Sequence, residues 1–174
     1  MVNKKHYILT SITLGTIAAA SALLIGGANM LTRDKIAENE LNRIYGGIAE
    51  IFGESATISS ETSIENDTYK YVEYVYEIKV NDNESGYAFR TTGSNMYGKI
   101  SLIVGFNLNN EFIKMSVITD EQTYKSTLEN KYISNVNDSS RDVEDVSCGA
   151  TYGAKLVRDM INEAKQASND KAWK

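Results

Sequence analysis

The sequence predicts an α+β protein in which one N-terminal transmembrane helix precedes an antiparallel-sheet domain with flanking helices. A run of uncharged, mostly apolar residues at 7–32 is long enough to span a bilayer. Short segments rich in Tyr, Val and Ile follow it, separated by turn-forming residues, and the last apolar segment has helical spacing. We therefore divide the chain into a cytoplasmic tip with a membrane anchor, residues 1–32, and a globular domain, residues 33–174.

The apolar run contains no charged side chain between Tyr7 and Thr32. A spanning helix needs roughly 20 apolar residues and the core of a signal peptide about 7 to 15, so the length favours an anchor. The alternative is a signal peptide that is cleaved after the small residues Gly26 to Ala28. Because Lys4 and Lys5 precede the run and its other flank is mixed in charge, the positive-inside rule predicts a single-pass protein of the cell membrane. Its N-terminus is expected to be cytoplasmic and its main domain extracytoplasmic.

The globular domain is predicted to begin with an amphipathic helix that continues from the membrane segment. Between residues 34 and 52, apolar side chains recur every three or four positions, as in a helix with one buried face. These side chains are Ala37, Leu41, Ile44, Ile48 and Ile51. Gly46 and Gly47 are expected to weaken the helix locally.

Four strands are predicted after this helix, and their order favours antiparallel pairing of neighbours. They comprise residues 71–80, 87–91, 99–106 and 112–119. Turns are predicted at 81–86 and 107–111. Alternation in the first strand predicts one apolar face, which carries Val72, Tyr74, Tyr76, Ile78 and Val80, and one largely polar face.

The C-terminal third is predicted to contain a long loop and one helix. Residues 120–144 are polar and lack a clear period, which is typical of a functional loop. A helix is predicted to begin near Gly149, because apolar residues then recur at helical spacing. They are Leu156, Val157, Met160, Ile161 and Ala164.

Composition excludes several classes of function. The net charge is −5 and no basic stripe is present, which argues against nucleic acid as a partner. The single cysteine, Cys148, excludes an intramolecular disulfide. Since no Cys/His cluster occurs, the sequence predicts no zinc, haem or iron–sulfur site.

The segment from Asp145 to Thr151 carries the strongest functional signal. Small residues directly before Thr151 let a phosphate approach the backbone, and the N-terminus of the helix that follows favours an anion. The threonine hydroxyl is a poor nucleophile on its own, and the only histidine, His6, precedes the membrane segment. A phosphoester on Thr151 would therefore require a helper enzyme.

The order of these features resembles the FMN-binding domain family. The sequence contains an N-terminal span and then a juxtamembrane helix. Strand segments with Gly86 to Phe89 and Tyr97 to Ile100 follow, and Gly149 to Thr151 precede the last helix. The family includes the G subunit of the Rnf ion-translocating ferredoxin:NAD oxidoreductase and the C subunit of the sodium-pumping NADH:quinone reductase. The resemblance covers nearly the whole chain.

The resemblance implies that a flavin transferase moves FMN from FAD onto Thr151, so that the flavin is held through its phosphate. The residues that it implies for cofactor binding are Asp145, Cys148, Gly149, Ala150 and Thr151, with Gln122 and Thr123 from the counterpart of a flavin-holding loop. It implies no catalytic residue, because the redox chemistry belongs to the flavin. The protein would be an electron-relay subunit of an Rnf-like membrane complex, with other membrane subunits as partners, rather than an enzyme alone.

Two other functions stay open at this stage. One is a stand-alone extracytoplasmic flavoprotein. The other is a non-redox surface binding module in which residues 147–151 form only a strand-to-helix turn with a capping hydroxyl. Cys148 is interpreted as a small packing residue, and Tyr152 either stacks on the flavin or packs at the helix start.

Overall fold

The computed structural model describes residues 4–64, 68–139, 148–171 and 173. The chain divides into two compact units, Met1–Asn42 and Arg43–Lys174. The first helix, α1, comprises Lys4–Phe52 and contributes to both units. The predicted division at residue 32 marks the end of the apolar run and stays a prediction about the membrane boundary.

The first unit consists of helix α1 up to Asn42. Its large apolar side chains are exposed, with Leu23, Leu24 and Ile25 each between 73% and 77% accessible. In the described part of the chain, α1 is the one helix that is long and apolar enough to cross a membrane. No part of its apolar window is buried, so this window is not the core of a soluble domain, although an N-terminal signal sequence also satisfies the same criteria of length and composition.

The second unit is built on a five-stranded antiparallel sheet in which each strand pairs with the next along the chain. The strands are β1 (Ala56–Ser63), β2 (Val72–Val80), β3 (Asn83–Asn95), β4 (Gly98–Asn107) and β5 (Phe112–Asp120). The four predicted strands are confirmed, while β1 was not predicted. The turn between β2 and β3 has positive φ at Asn81 and Asp82, 51° and 64°, the geometry that a two-residue hairpin prefers.

Both faces of the sheet carry buried residues, and the predicted faces of β2 are confirmed for Tyr76, Ile78 and Val75 but wrong for Val72. Val72 and Val75 face the larger core, whereas Tyr76 and Ile78 face a smaller core with the end of α1. A register shift between Val72 and Tyr74 breaks the strict alternation. For this reason Val72 lies on the side opposite to Tyr76 and Ile78.

The larger core lies between the sheet and helix α4 (Thr151–Asp170). All five apolar residues that the sequence placed on one face of this helix are buried, and Val157, Met160 and Ala164 are fully inaccessible. The prediction of a C-terminal amphipathic helix is confirmed. The helix begins at Thr151, two residues after Gly149.

The predicted loop at 120–144 is helical over much of its length. Helix α2 (Lys125–Thr127), a π-helical segment (Leu128–Ile133) and helix α3 (Ser134–Ser139) follow one another. Leu128, Tyr132, Ile133 and Val136 are buried in the larger core, which explains why this polar stretch is ordered. The remainder of the predicted loop, residues 140–144, lies outside the described residues.

The end of α1 packs closely on the sheet, and Gly47 does not interrupt the helix. A methyl group added at Gly105 of β4 would lie 2.4 Å from Ile51 Cγ2, so the absence of a side chain allows this approach. The Glu50 carboxylate accepts a hydrogen bond from Ser116 Oγ at 2.6 Å and pairs with Lys114 Nζ at 2.9 Å. Glu50 is half exposed, so this pair contributes about 0–1 kcal/mol and mainly orients the helix.

We expect Gly105→Ala to lower the free energy of unfolding by about 1–3 kcal/mol, because the added methyl overpacks the contact with Ile51. Gly46→Ala is the matched control, since it adds the same methyl in open space on α1 and is expected to raise stability by up to about 1 kcal/mol. The measurement is chemical denaturation of the full-length protein in detergent. Equal stability of Gly105→Ala and the wild type would contradict the close approach.

Candidate functional site

A cavity of about 260 Å³ opens at the N-terminus of α4. It is lined by Tyr97, Gln122, Tyr124, Leu128, Gly149, Ala150, Thr151, Tyr152 and Gly153. Cavities that bury most of a drug-sized ligand have volumes of about 300–1,000 Å³, so this cavity accommodates part of a larger molecule. The remainder of such a molecule would lie over the rim.

The turn before α4 directs Thr151 outward. Gly149 has φ 81°, a left-handed conformation that favours glycine, and Ala150 is the N-cap residue. Cys148 and Ala150 are buried, while Thr151 is the first helical residue and is exposed. The turn therefore anchors its apolar side in the core and presents the threonine hydroxyl to solvent.

The start of α4 favours an anion. The first helical hydrogen bond joins Ala154 N–H to Ala150 O at 2.9 Å, and no described side chain caps the helix. The N–H groups of Thr151, Tyr152 and Gly153 thus lack helical acceptors, and the helix dipole adds positive potential there. Because the N-cap is an alanine without a side-chain cap bond, the described residues do not support the interpretation of this segment as a hydroxyl-capped turn.

Gln122 lines the cavity beside the start of α4. Its side chain is 5% exposed, and its Nε2 donates to the carbonyl oxygen of Gly98. Its backbone N–H donates to Asp120 Oδ1 at 2.8 Å. Gln122 Oε1 lies next to Gly153, where an added methyl group would be 3.5 Å away. The amide is therefore held with its oxygen toward the start of α4.

Asp120, at the end of β5, contacts the loop that contains Gln122. Burial raises the pKa of its carboxyl, and the hydrogen bond from Gln122 N–H and the charge of Lys125 offset part of that rise. Its Oδ2 is buried without a hydrogen-bond partner among the described residues. The ionised carboxylate is consequently disfavoured in the folded protein.

Three tyrosines surround the mouth of the cavity. The ring centroids of Tyr97 and Tyr124 are 5.7 Å apart, as are those of Tyr97 and Tyr152. Tyr124 and Tyr152 are 54% and 60% exposed, so neither serves as a core packing residue. Such exposed rings provide apolar faces on which a planar aromatic ligand can stack.

Two side chains hold the backbone of Tyr97 in place. Asn95 Oδ1 accepts from Tyr97 N–H at 2.8 Å, and Asn95 Nδ2 donates to Tyr152 O at 3.2 Å. Thr123 donates to Tyr97 O from both its N–H, at 2.9 Å, and its hydroxyl, at 3.2 Å. These bonds connect the β3–β4 turn, the loop after β5 and the start of α4.

The structure brings together four of the seven residues expected to bind the cofactor. Gly149, Ala150, Thr151 and Gln122 line the cavity. Cys148 is 4% exposed and belongs to the larger core, while the Thr123 side chain contacts Tyr97 and is not a lining residue. Asp145 lies outside the described residues.

Part of the cavity lining was not predicted from the sequence. Tyr97, Tyr124, Leu128 and Gly153 were not assigned to a site, although all four line the cavity. The three tyrosines lie far apart in the chain, and only the pairing of β3 with β4 and the packing of α4 bring them together. A sequence signal for Leu128 was present, because the buried residues of 128–136 fall at helical spacing.

The cavity lining offers groups suited to binding a polar or aromatic ligand. Its lining contains hydroxyl, amide, backbone N–H and aromatic groups, and no carboxylate, histidine or lysine among the described residues. Thr151 consequently has no neighbouring base within the lining that would activate its hydroxyl. The arrangement fits an anionic group near Thr151 with an aromatic group at the mouth.

We expect the effect of Asp120→Asn on stability to depend on pH. The folded-state pKa of Asp120 is raised above its ordinary value of 3.8, so ionisation costs stability at neutral pH. As the pH falls through the raised pKa, the folded wild type gains its proton before the unfolded chain does. The stability of the wild type relative to the Asn variant should therefore increase toward low pH, as measured by denaturation at a series of pH values. A difference that is constant with pH would contradict the raised pKa.

No protein-family model matches this chain, and no curated protein matches it. The resemblance to the FMN-binding domain family therefore rests on the motif and the order of elements alone.

Proposed function

We propose that this protein is a membrane-anchored, extracytoplasmic electron carrier that holds FMN covalently through its phosphate on Thr151. The observation that carries this proposal is the position of Thr151: an exposed hydroxyl at an uncapped helix N-terminus, on the edge of a cavity rimmed by three tyrosines. When bound, the flavin supplies the electron-transfer chemistry. The protein supplies attachment, orientation and partial shielding from water.

The residues at the cavity fit the parts of FMN. Free backbone N–H groups at the start of α4 suit the phosphate, which stays anionic as a diester. Tyr97, Tyr124 and Tyr152 offer stacking surfaces for the planar ring. A cavity of about 260 Å³ holds part of the nucleotide, which leaves the rest near the surface, where electrons can be exchanged with partners.

Attachment requires an external enzyme, because the described cavity lining has no base beside Thr151. In the transfer that we propose, the Thr151 oxygen forms a bond to the FMN phosphorus of FAD. The pyrophosphate bond breaks, AMP leaves, and the hydroxyl proton passes to a base of the flavin transferase or to solvent. The exposure of Thr151 is consistent with access by such an enzyme.

The membrane assignment within this proposal depends on α1. Its exposed apolar length suits a single span, and Lys4 and Lys5 favour a cytoplasmic N-terminus. The second unit would then lie outside the cytoplasm. We propose an Rnf-like complex as its setting on the basis of the family resemblance; copurification with other membrane subunits would distinguish this from a stand-alone flavoprotein.

The first experiment is an intact-mass measurement of the full-length protein coexpressed with a flavin transferase. We expect the wild type to gain the mass of FMN less one water, and peptide mapping to place the adduct on Thr151. Thr151→Val removes the hydroxyl at nearly constant shape and should abolish the adduct while leaving the fold intact. Thr127→Val is the matched control, since Thr127 lies beside Gly149 but outside the cavity lining, and it should retain the adduct.

Two results would overturn the assignment to Thr151. One is an adduct that persists in Thr151→Val. The other is an unmodified wild-type chain when the transferase is active on a known substrate, which would favour a non-redox binding module.

Cys148→Ser is expected to lower stability without preventing flavin attachment. Cys148 is buried among apolar side chains, so a serine hydroxyl there would lack a partner, at a cost of about 1–3 kcal/mol. The thiol is not a lining residue, so the FMN adduct should remain. Denaturation and intact mass test the two parts separately; complete loss of the adduct in a folded variant would assign Cys148 a role in attachment.

A further inference from the structure

We propose that the outer edge of β1 binds an extended segment of another protein, which adds a strand to the sheet and places a lysine or arginine against Glu61. This interaction surface lies on the sheet edge and does not depend on flavin attachment. The observations that carry it are outward-facing backbone groups on β1, the contrast with the covered edge at β5, and the acidic charge around β1.

The outward-facing backbone groups of β1 follow from one hydrogen bond. Ile64 N–H donates to Glu73 O at 2.9 Å, across the ladder between β1 and β2. In an antiparallel pair, the backbone groups of successive residues face the partner strand and the open side in turn. Thr62 therefore faces β2, as Ile64 does, while Glu61 and Ser63 direct their N–H and C=O groups outward. Among the described residues, no hydrogen bond reaches these outward groups.

The opposite edge of the sheet, at β5, is covered by a side chain. Asn137 of α3 accepts from Met115 N–H and donates to Met115 O, each at 2.9 Å. Natural sheets commonly protect open edges with lysine, proline or a bulge. β1 contains no lysine or proline, and its bulge at Ser59 leaves residues 60–63 in regular register. This stretch is the part of the edge that can accept another strand.

The charge around β1 favours a basic partner. Residues 53–64 contain Glu54 and Glu61 and no lysine or arginine. Glu61 is exposed and forms no ion pair with a described residue. Opposite charges on facing residues stabilise a pair of strands, and like charges destabilise it. A lysine or arginine opposite Glu61 therefore complements the edge.

The same charge disfavours a second copy of this chain as the bound strand. Antiparallel pairing of two β1 strands centred on Glu61 places the two Glu61 side chains directly opposite each other. Pairing centred on Thr62 makes them diagonal neighbours on one face, which is still within reach of long side chains. Both arrangements bring like charges together.

The two faces of the sheet at β1 indicate the pattern of the bound segment. Glu61 pairs with Tyr76, so its side chain lies on the face of the smaller core. Ile58 and Tyr74 on that face are only partly buried. Since side chains of a strand alternate between faces, the segment carries its basic residue on this face with apolar residues two positions away. Polar residues occupy its other face, which Thr62 shares.

The test measures hydrogen exchange at single amides of the full-length protein in detergent, with and without the capped peptide Thr-Val-Thr-Lys-Thr-Val-Thr. At about 1 mM peptide, exchange of the Glu61 and Ser63 amides should slow about tenfold, as expected for a Kd of about 0.1 mM. The amides of Asn81 and Asp82, in the turn between β2 and β3, are the internal reference and should not change.

Matched variants separate strand addition from attraction between charges. Glu61→Lys should bind the lysine peptide about tenfold more weakly and should instead bind the same peptide with glutamate in place of lysine. Glu121→Lys makes the same change of charge in the loop after β5, so it should behave as the wild type. The peptide Thr-Pro-Thr-Lys-Thr-Pro-Thr keeps the charge but lacks two N–H donors, so it should give no protection.

Each outcome decides the proposal. Protection of Glu61 and Ser63 by the lysine peptide, lost with the proline peptide and weakened in Glu61→Lys, supports it. The absence of protection, equal protection by the proline peptide, or unchanged binding in Glu61→Lys overturns it. Protection that rises with protein concentration in the absence of peptide would assign the edge to a second copy instead. Thermal unfolding checks the variants, and Glu61→Gln, expected to weaken binding about threefold, replaces Glu61→Lys if that variant does not fold.

Discussion

The burial of one face of α4 against the sheet is the contact on which the candidate site depends. Leu156, Val157, Met160, Ile161 and Ala164 lie on that face and are buried. Each large side chain contributes about 1.5–3 kcal/mol when removed from water, an upper estimate for a real unfolded chain. That energy sets the rotation of the helix about its axis. Thr151, at the start of the helix, is thereby held outside the core without contributing much to stability itself.

A second constraint acts from the other side of the cavity. The loop after β5 must place a polar side chain, Gln122, against the start of α4, and burying its polar groups is costly unless they are bonded. Hydrogen bonds to Gly98 and Asp120 satisfy two of its groups. The carboxylate of Asp120 is in turn disfavoured by burial. The loop beside the cavity thus contains one carboxylate oxygen, Asp120 Oδ2, that is buried without a hydrogen-bond partner among the described residues.

The sequence predicted those features that depend on a local period. The four strands from 71 to 119, the turn at Asn81 and the buried face of α4 required only alternation, turn residues and helical spacing. Strand β1 was missed because Ser, Thr and Glu dominate it at an exposed sheet edge. Val72 was assigned to the wrong face of β2 because a register shift after Val72 has no signature in one sequence. Thr151 was identified because it belongs to a local sequence motif. Tyr97 was not identified, because it reaches the cavity only through strand pairing.

Attachment and retention of a cofactor make opposite demands on a site. A hydroxyl that another enzyme must modify has to be exposed, whereas a flavin that exchanges electrons reproducibly has to be held in one position. In the arrangement that we propose, different residues meet these demands. Thr151 projects from the first turn of α4, while Tyr97, Tyr124 and Tyr152 offer stacking surfaces beside it. The tyrosines at the mouth then orient the flavin ring rather than capture it. The covalent bond already gives the flavin a high effective concentration at the cavity. Weak contacts in the cavity are sufficient under that condition, so a cavity of about 260 Å³ is compatible with the attachment that we propose.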